Sequence, residues 1–480
     1  MDNELLCDWL NGLDEFIEST MKEWRVPGLA LSVVKDGGVA CARGYGFRDP
    51  EKGLGMNADT LYRIASNTKA FTALSAAMLV DEGRLALDTP VKEYLPYFKL
   101  QDLYATDQVT LRDLLSHRTG LPAHSKALLQ FRNRREIVEN LRYLELSCPI
   151  RTKHQYSNLM FITAGHLVEV VAGQSWESFV KERIFDALGM EKSNFSFSQS
   201  CLSGNFAECY SIKGDELQRY TEGPGAYPGH LSFRNPAEGI SSTAKELAAW
   251  MLLQLNGGEY RGKRLASEKA FYEMHSPQMV DNWNSPYPEH GESSCGLGWF
   301  IWGYRGHKVV LHEGYYGSQI YLLPQKKLGI ACLPTRKSPA AEIVIYHILD
   351  RMLGLAPVDW NERKRKEAAA ALKNRQIPAV ARKPGTRPSH ALTEYGGIFR
   401  HPAYGALYIR TDGKKLFLRE NGAGERELRH YHYDTFELLD EDGEGVFKLT
   451  FQTDAGGDLC SATAPRESGV REIVYIKVRK

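Results

Sequence analysis

Strand-like runs stand at both ends of a long helix-rich stretch, and this placement leaves few ways to close a sheet. Near the start, Leu29 to Val34 and Val39 to Gly44 flank Lys35-Asp36-Gly37-Gly38, a turn sequence between two apolar runs that predicts a hairpin. Far downstream, Trp299 to Trp302, Val309 to His312, Gln319 to Leu323 and Gly329 to Leu333 read as successive strands with short turns. Between the two sets the apolar spacing predicts helices over about 67–82, 110–116, 159–172, 176–187 and 243–255, the last opened by the capping box Thr243-Ala244-Lys245-Glu246. Ahead of the hairpin, Leu6, Trp9, Leu10, Leu13, Phe16, Ile17, Met21 and Trp24 recur every three or four positions, predicting an amphipathic helix over 4–24. The expected class is α+β: an antiparallel sheet completed by the two ends of the domain, with a helical subdomain inserted.

A chain of 480 residues has room for two or three domains. Composition shifts between Asn361 and His390, where nine Lys and Arg stand against Glu362 and Glu367 and prolines occur at 378, 384 and 388. Without interleaved aromatic residues to stack on bases, these charges read as a solvated connector whose first half forms a surface helix. Beyond it only short strand-like runs remain, such as Ala406 to Arg410 and Lys415 to Arg419 around Asp412-Gly413, so a small all-β domain is expected. The division is 1–357 for the first domain, 358–392 for the connector and 393–480 for the all-β domain.

Charge narrows the partners. With 60 Lys and Arg against 59 Asp and Glu the net charge is +1, so no overall field recruits nucleic acid or an anionic membrane, and a small molecule or short peptide is the expected substrate. The acidic start MDNELLCDWLNGLDEF lacks the basic and apolar regions of a secretory signal, and no apolar run reaches the roughly 20 residues of a spanning helix. The eight cysteines are scattered without C-x-x-C pairs or zinc spacing and read as reduced thiols, so a cytoplasmic protein with neither metal nor cofactor is expected.

Ser66-Asn67-Thr68-Lys69 puts a hydroxyl and an amine three residues apart at the start of a predicted helix, on one face. A serine becomes a nucleophile only beside a base, and a buried lysine whose pKa is lowered can serve. Alone the pattern is uninformative, since S-x-x-K also begins at Ser19, Ser32, Ser178 and Ser242. Ser242 is the real competitor, because it too opens a helix. Ser66 is singled out by two further elements: Tyr156-Ser157-Asn158, the one Y-x-N among 24 tyrosines, in a polar loop before an apolar helix; and His312-Glu313-Gly314-Tyr315, a titratable group ending a strand, with a glycine that would let a substrate backbone approach. His117 and His166 sit in apolar helical contexts and read as packing histidines, and a zinc site at His312 lacks the second histidine of H-E-x-x-H.

The order S-x-x-K, Y-x-N, H-x-G resembles the serine β-lactamase and penicillin-binding protein superfamily, and its class C-like branch in particular, where Y-x-N stands for S-D-N. Flanking segments agree: Tyr62 to Ala65, Thr110 to Pro122 (TLRDLLSHRTGLP), Glu238 to Ala244 (EGISSTA) and Gly296 to Trp299. The resemblance implies acyl transfer through an acyl-enzyme on Ser66, with Lys69 and Tyr156 moving the proton and Asn158 holding Lys69 and the substrate amide. His312 would fill the place of the K-T-G lysine, followed by Gly314. Ser66 and Tyr315 would give backbone N–H groups to an oxyanion hole. Ser242 falls in a structural segment of the family. Histidine for lysine removes the cation that would grip a penicillin carboxylate, so the H-x-G pattern is more similar to esterases, D-amino-acid-directed peptidases and penicillin-binding-protein-type thioesterases than to true β-lactamases. Water, an amine (a cyclase or acyltransferase) or no acceptor at all (a penicillin-binding sensor) can follow the acyl-enzyme. Tyr395 to Phe399 and Pro402 to Gly405 resemble the start of a lipocalin-like β-barrel found on some of these relatives, where it aids assembly, so a homo-oligomer is also expected.

Overall fold

A computed structural model describes residues 9–220, 229–281, 283–373, 381–420, 424–439 and 445–479. The start of the predicted first helix, Cys7, and Pro378 of the connector lie outside the described residues.

Nine strands build one antiparallel sheet: β1 (Gly28–Lys35), β2 (Gly38–Asp49), β3 (Leu54–Gly55), β4 (Met279–Val280), β5 (His290–Cys295), β6 (Phe300–Tyr304), β7 (His307–Glu313), β8 (Gln319–Leu323) and β9 (Leu328–Pro334). Their order is β4-β5-β6-β7-β8-β9-β1-β2-β3. The ends of the domain meet where β1 lies against β9, with Leu29 opposite Pro334 and Lys35 opposite Leu328. Side chains alternate across a strand, so each face of the sheet receives its own set. Leu29, Leu31 and Val33 of β1, Val309 and Leu311 of β7 and Ile330 of β9 share one core with helices α1 (Leu13–Glu23) and α5 (Ala340–Met352). Ala30 and Val34 of β1, Val310 of β7 and Ala331 of β9 share the other with α2 (Thr68–Asp81), α3 (Asn158–Ala172) and α4 (Ala244–Leu255). His312 follows Val310 in this alternation and so faces the second core.

Local chemistry sets several helix ends. Thr243 caps α4 by accepting from the Glu246 amide at 3.0 Å, but the reciprocal half of the capping box is diverted: the Glu246 carboxylate accepts from the Lys192 and Ser193 amides at 2.8 and 2.9 Å. The helix predicted over 176–187 is broken into Trp176–Val180, a π-turn at Lys181–Phe185 and Asp186–Leu188. β5 reads HGESSC, without apolar alternation, which is why the sequence pattern passed over it.

The expected connector divides. Its first part is helix α6 (Trp360–Lys373), and Trp360 is only 2% exposed, stacked on His290 at 5.6 Å and against Tyr346 at 4.6 Å. The basic side chains of this helix pair with acids of the preceding domain: Arg363 with Glu289 and Lys364 with Glu342, each at 2.7 Å, and Arg365 with Glu23 at 2.9 Å. Three of the nine positive charges thus form the docking face of a helix.

Eight further strands, β10 (Gly397–His401), β11 (Gly405–Thr411), β12 (Leu416–Glu420), β13 (Arg426–His432), β14 (Thr435–Leu439), β15 (Gly445–Thr453), β16 (Leu459–Ala464) and β17 (Ile473–Lys477), form a closed barrel. Closure joins β10 to β17 through Phe399 opposite Lys477 and Arg400 opposite Ile476. Phe399, Leu407, Leu418, Phe436, Leu449 and Tyr475 are buried, as expected for an eight-stranded barrel whose interior is filled by its own side chains.

Because Trp360 is packed as a core residue, Trp360→Ala should destabilise the first domain by about 3–5 kcal/mol, measured by urea unfolding of the full chain followed by circular dichroism. A loss below about 1 kcal/mol would show that α6 is merely appended.

Candidate active site

The serine turn is strained and held from several sides. Ala65 has φ +46°, a left-handed conformation rare for a residue with a side chain. It opens the short 3₁₀ turn Ala65–Asn67 that runs into α2. The Ile64 carbonyl just before it accepts from the Asn67 amide at 3.2 Å, from Asn67 Nδ2 at 3.1 Å and from Ser318 Oγ at 2.9 Å. Thr68 Oγ1 accepts from the Ile240 amide at 3.1 Å. The two residues between Ser66 and Lys69 therefore anchor the turn to its neighbours.

Gly314 belongs to the same construction. A Cβ there would lie 2.4 Å from the Ile64 oxygen and 2.1 Å from Ser318 Oγ. Besides the substrate approach expected of this glycine, its missing side chain admits the serine turn against the end of β7.

Lys69 is fully buried, with three partners from three segments: Ser66 Oγ at 3.1 Å, Asn158 Oδ1 at 2.7 Å and the Ala237 carbonyl at 2.9 Å. Burial lowers its amine to about 7, partly opposed by the Glu238 carboxylate and helped by the Arg234 charge. Tyr156 lies across the same space, its ring centroid 4.7 Å from Lys69 Nζ. Burial raises its phenol well above the ordinary value, against the opposing effect of a hydrogen bond with Ser66. Asn158 is the first residue of α3, which fixes its side chain toward Lys69.

His312 is buried, its ring 6.4 Å from that of Tyr156 and 5.3 Å from that of Phe300. Burial and the nearby Lys69 charge lower its imidazole to about 3. It is therefore neutral. Nδ1 lies 2.9 Å from the Glu313 carbonyl, which requires the proton on Nδ1 and leaves Nε2 as an acceptor. The Ser66 and Tyr315 amides have no acceptor among the described residues. The Tyr315 side chain is 59% exposed and its hydroxyl lies 3.2 Å from that of Tyr220.

Ser66, Lys69, Tyr156, Asn158 and His312 are thus joined by direct or ring contacts, and Gly314 and Tyr315 border them. The competing Ser242 is buried in a two-residue ladder with Tyr62, its hydroxyl 2.8 Å from Ser193 Oγ, while Lys245 is exposed beside Asp59. His166 is satisfied by Tyr97 at 2.7 Å and Glu169 at 3.1 Å. His117, read as packing, does more. Its carbonyl accepts from the Gln155 amide at 2.7 Å, its Nδ1 accepts from the Ser157 amide at 3.1 Å, and its ring lies 4.4 Å from that of Tyr156. It grips the residues on either side of the tyrosine. Its place in the S-H-R-T-G segment was visible in the sequence, but nothing there tied it to a loop so far along the chain. Among the described residues no three His, Cys, Asp or Glu side chains converge to hold a metal ion, and no helix is long and apolar enough to cross a membrane.

Both parts of the chain are similar to known proteins. A family model described as beta-lactamase matches residues 13–352, and one described as a domain of unknown function (DUF3471) matches residues 381–473. The chain is 30% identical over 434 residues to an unguisins hydrolase of Aspergillus campestris (strain IBT 28561), covering 84% of this chain and 78% of that protein. Among solved structures it is similar to an octameric penicillin-binding protein homologue from Pyrococcus abyssi, with a TM-score of 0.64, 23% identity, and coverage of 97% of this chain and 99% of the other. A class C beta lactamase from Rhodobacter sphaeroides follows the fold over 71% of this chain and 99% of its own, with a TM-score of 0.57 and 22% identity. With the sheet, its helices and the Ser66 turn all inside the matched span, the chain belongs to the beta-lactamase family of serine hydrolases and carries a closed eight-stranded barrel at its carboxy-terminal end.

Proposed function

We propose that the protein is a serine acyl hydrolase that forms a covalent acyl-enzyme on Ser66 and cleaves an amide or ester of a small peptide or acyl substrate. The observation that carries this reading is the Lys69 amine, buried, 3.1 Å from Ser66 Oγ and titrating at about 7, so that a large share is unprotonated and able to take the serine proton at neutral pH. As Oγ adds to the carbonyl carbon, the negative charge grows on the substrate oxygen, where the Ser66 and Tyr315 amides would receive it; such donors contribute roughly 3–4 kcal/mol each. Tyr156, kept as a neutral phenol by burial, relays the proton from Lys69 to the leaving nitrogen or oxygen. Water then repeats the addition, and Ser66 regains its proton.

His312 bears on the substrate. A neutral imidazole with Nε2 as an acceptor offers no fixed positive charge for a carboxylate, which favours uncharged acyl groups over penicillins. This supports placing the H-x-G site with the esterases, D-amino-acid-directed peptidases and penicillin-binding-protein-type thioesterases. The name of the Aspergillus relative, a hydrolase of unguisins, favours water over an amine as the acceptor. The seven cysteines of the described residues are all unbonded, which supports a cytoplasmic location. The octameric state of the Pyrococcus homologue motivates the proposal of a homo-oligomer; light scattering on the full chain should give a multiple of 54.1 kDa, and a clean monomer would remove it.

The wild-type protein should take up a fluorophosphonate stoichiometrically on the peptide containing Ser66, seen by mass spectrometry, and Ser66→Ala should lose both labelling and p-nitrophenyl acetate turnover. Labelling that persists in the variant would place the nucleophile elsewhere. A second test follows from linkage. The folded lysine is lowered from 10.5 to about 7, so between those pH values the unfolded chain holds a proton the folded one lacks. Wild-type stability should therefore rise relative to Lys69→Met from pH 7 toward 10, by up to about 1.4 kcal/mol per pH unit. Parallel pH profiles would show that Lys69 is charged when folded.

A further inference from the structure

The barrel docks on the segments that hold Tyr156. Tyr404, in the turn between β10 and β11, places its hydroxyl 2.6 Å from His124 Nδ1. Glu467, in the turn between β16 and β17, accepts from the His124 amide at 2.5 Å. His124 Nε2 lies 2.9 Å from the Glu145 carbonyl and donates to it; burial holds the imidazole below its ordinary value, and in that neutral form Nδ1 accepts from the Tyr404 hydroxyl. The same barrel turn returns to Glu145 through Arg471, whose guanidinium pairs with the carboxylate at 2.9 Å and whose backbone amide donates to it at 3.2 Å. Its Gly469 stands so close that an added Cβ would lie 3.3 Å from Ser147 Cβ.

From this contact the connection to the tyrosine is short. The Ser147 amide donates to the Gly120 carbonyl at 3.0 Å, Gln155 Nε2 donates to Ser147 Oγ, and the Gln155 amide donates to the His117 carbonyl at 2.7 Å. The His117 ring then packs on Tyr156 and accepts from the Ser157 amide. Residues 117–124 and 145–157 are thus zipped together on one side by the barrel and present Tyr156 on the other.

We propose that the carboxy-terminal barrel, the domain of unknown function, is a buttress for the catalytic loop: through Tyr404, His124, Ser147 and Gln155, all positioning residues, it fixes Tyr156 where it can relay the proton. The inference rests on Ser66 acyl transfer.

The test is steady-state hydrolysis of p-nitrophenyl acetate by the full chain, well below its melting temperature. Tyr404→Phe should lower kcat about three- to thirtyfold with KM within about twofold, the range expected when coupling through a packed network is cut. Gln155→Ala should act alike, and the double variant should lose no more than the worse single, because both cut one connection. Arg471 is exposed and its replacement spares the core, so Arg471→Ala, compared by hydrogen exchange, should speed exchange of the amides of 147–157. An unchanged kcat in Tyr404→Phe, losses that multiply in the double variant, or unaltered exchange in Arg471→Ala would each overturn the buttress. Ser66→Ala in the same assay separates the two ideas: if it is inactive, such results remove the buttress alone; if it is active, acyl transfer on Ser66 fails first.

Discussion

The burial of one lysine amine is the constraint on which the rest of this structure depends. Lowering the Lys69 amine from 10.5 to about 7 corresponds to a penalty on the order of 5 kcal/mol for holding it charged, a large fraction of the stability of an ordinary domain. The fold tolerates it by bringing Ser66 Oγ, Asn158 Oδ1 and the Ala237 carbonyl to the amine from segments far apart in the chain. Charged, the amine donates to all three; neutral, it donates to Asn158 Oδ1 and the Ala237 carbonyl while its lone pair accepts from the Ser66 hydroxyl, and burial favours this neutral form. The same burial that strains the fold makes the amine a base.

The sheet supplies the second condition. Period-two alternation in β7 sends Val309 and Leu311 to one core and Val310 and His312 to the other, so the histidine reaches the site because the strand's apolar residues set its register. Its neutrality follows from burial beside Lys69, and its tautomer from the Glu313 carbonyl. Gly314 then lets the strand end close on the Ile64 carbonyl, which locks strand, serine turn and α2 into one unit.

Much of this was legible in the sequence, and the exceptions have physical causes. The hairpin and the later strands showed themselves by apolar runs between turn residues, and α2 and α3 by apolar spacing, because burial on a regular element leaves a periodic trace. β5 left none, since its polar residues pair through the backbone. Trp360 was hidden beside a basic stretch in which Arg363, Lys364 and Arg365 proved to pair with acids of the first domain. Ser66 could be chosen over Ser242 only through its order relative to Y-x-N and H-x-G. His117 could not be connected to Tyr156, because its grip is on backbone amides, which every residue but proline carries. Nor could the sequence show the Gly314–Ile64 contact, because a missing side chain does not say what occupies its space.

The central claim is that Lys69 is uncharged, in large part, at the pH where the protein works. Its titration can be followed directly by NMR of the full chain labelled with 13C at lysine Cε, with the Lys69 signal assigned by its loss in Lys69→Arg. The account predicts a midpoint near 7, and a midpoint near the ordinary 10.5 would contradict it.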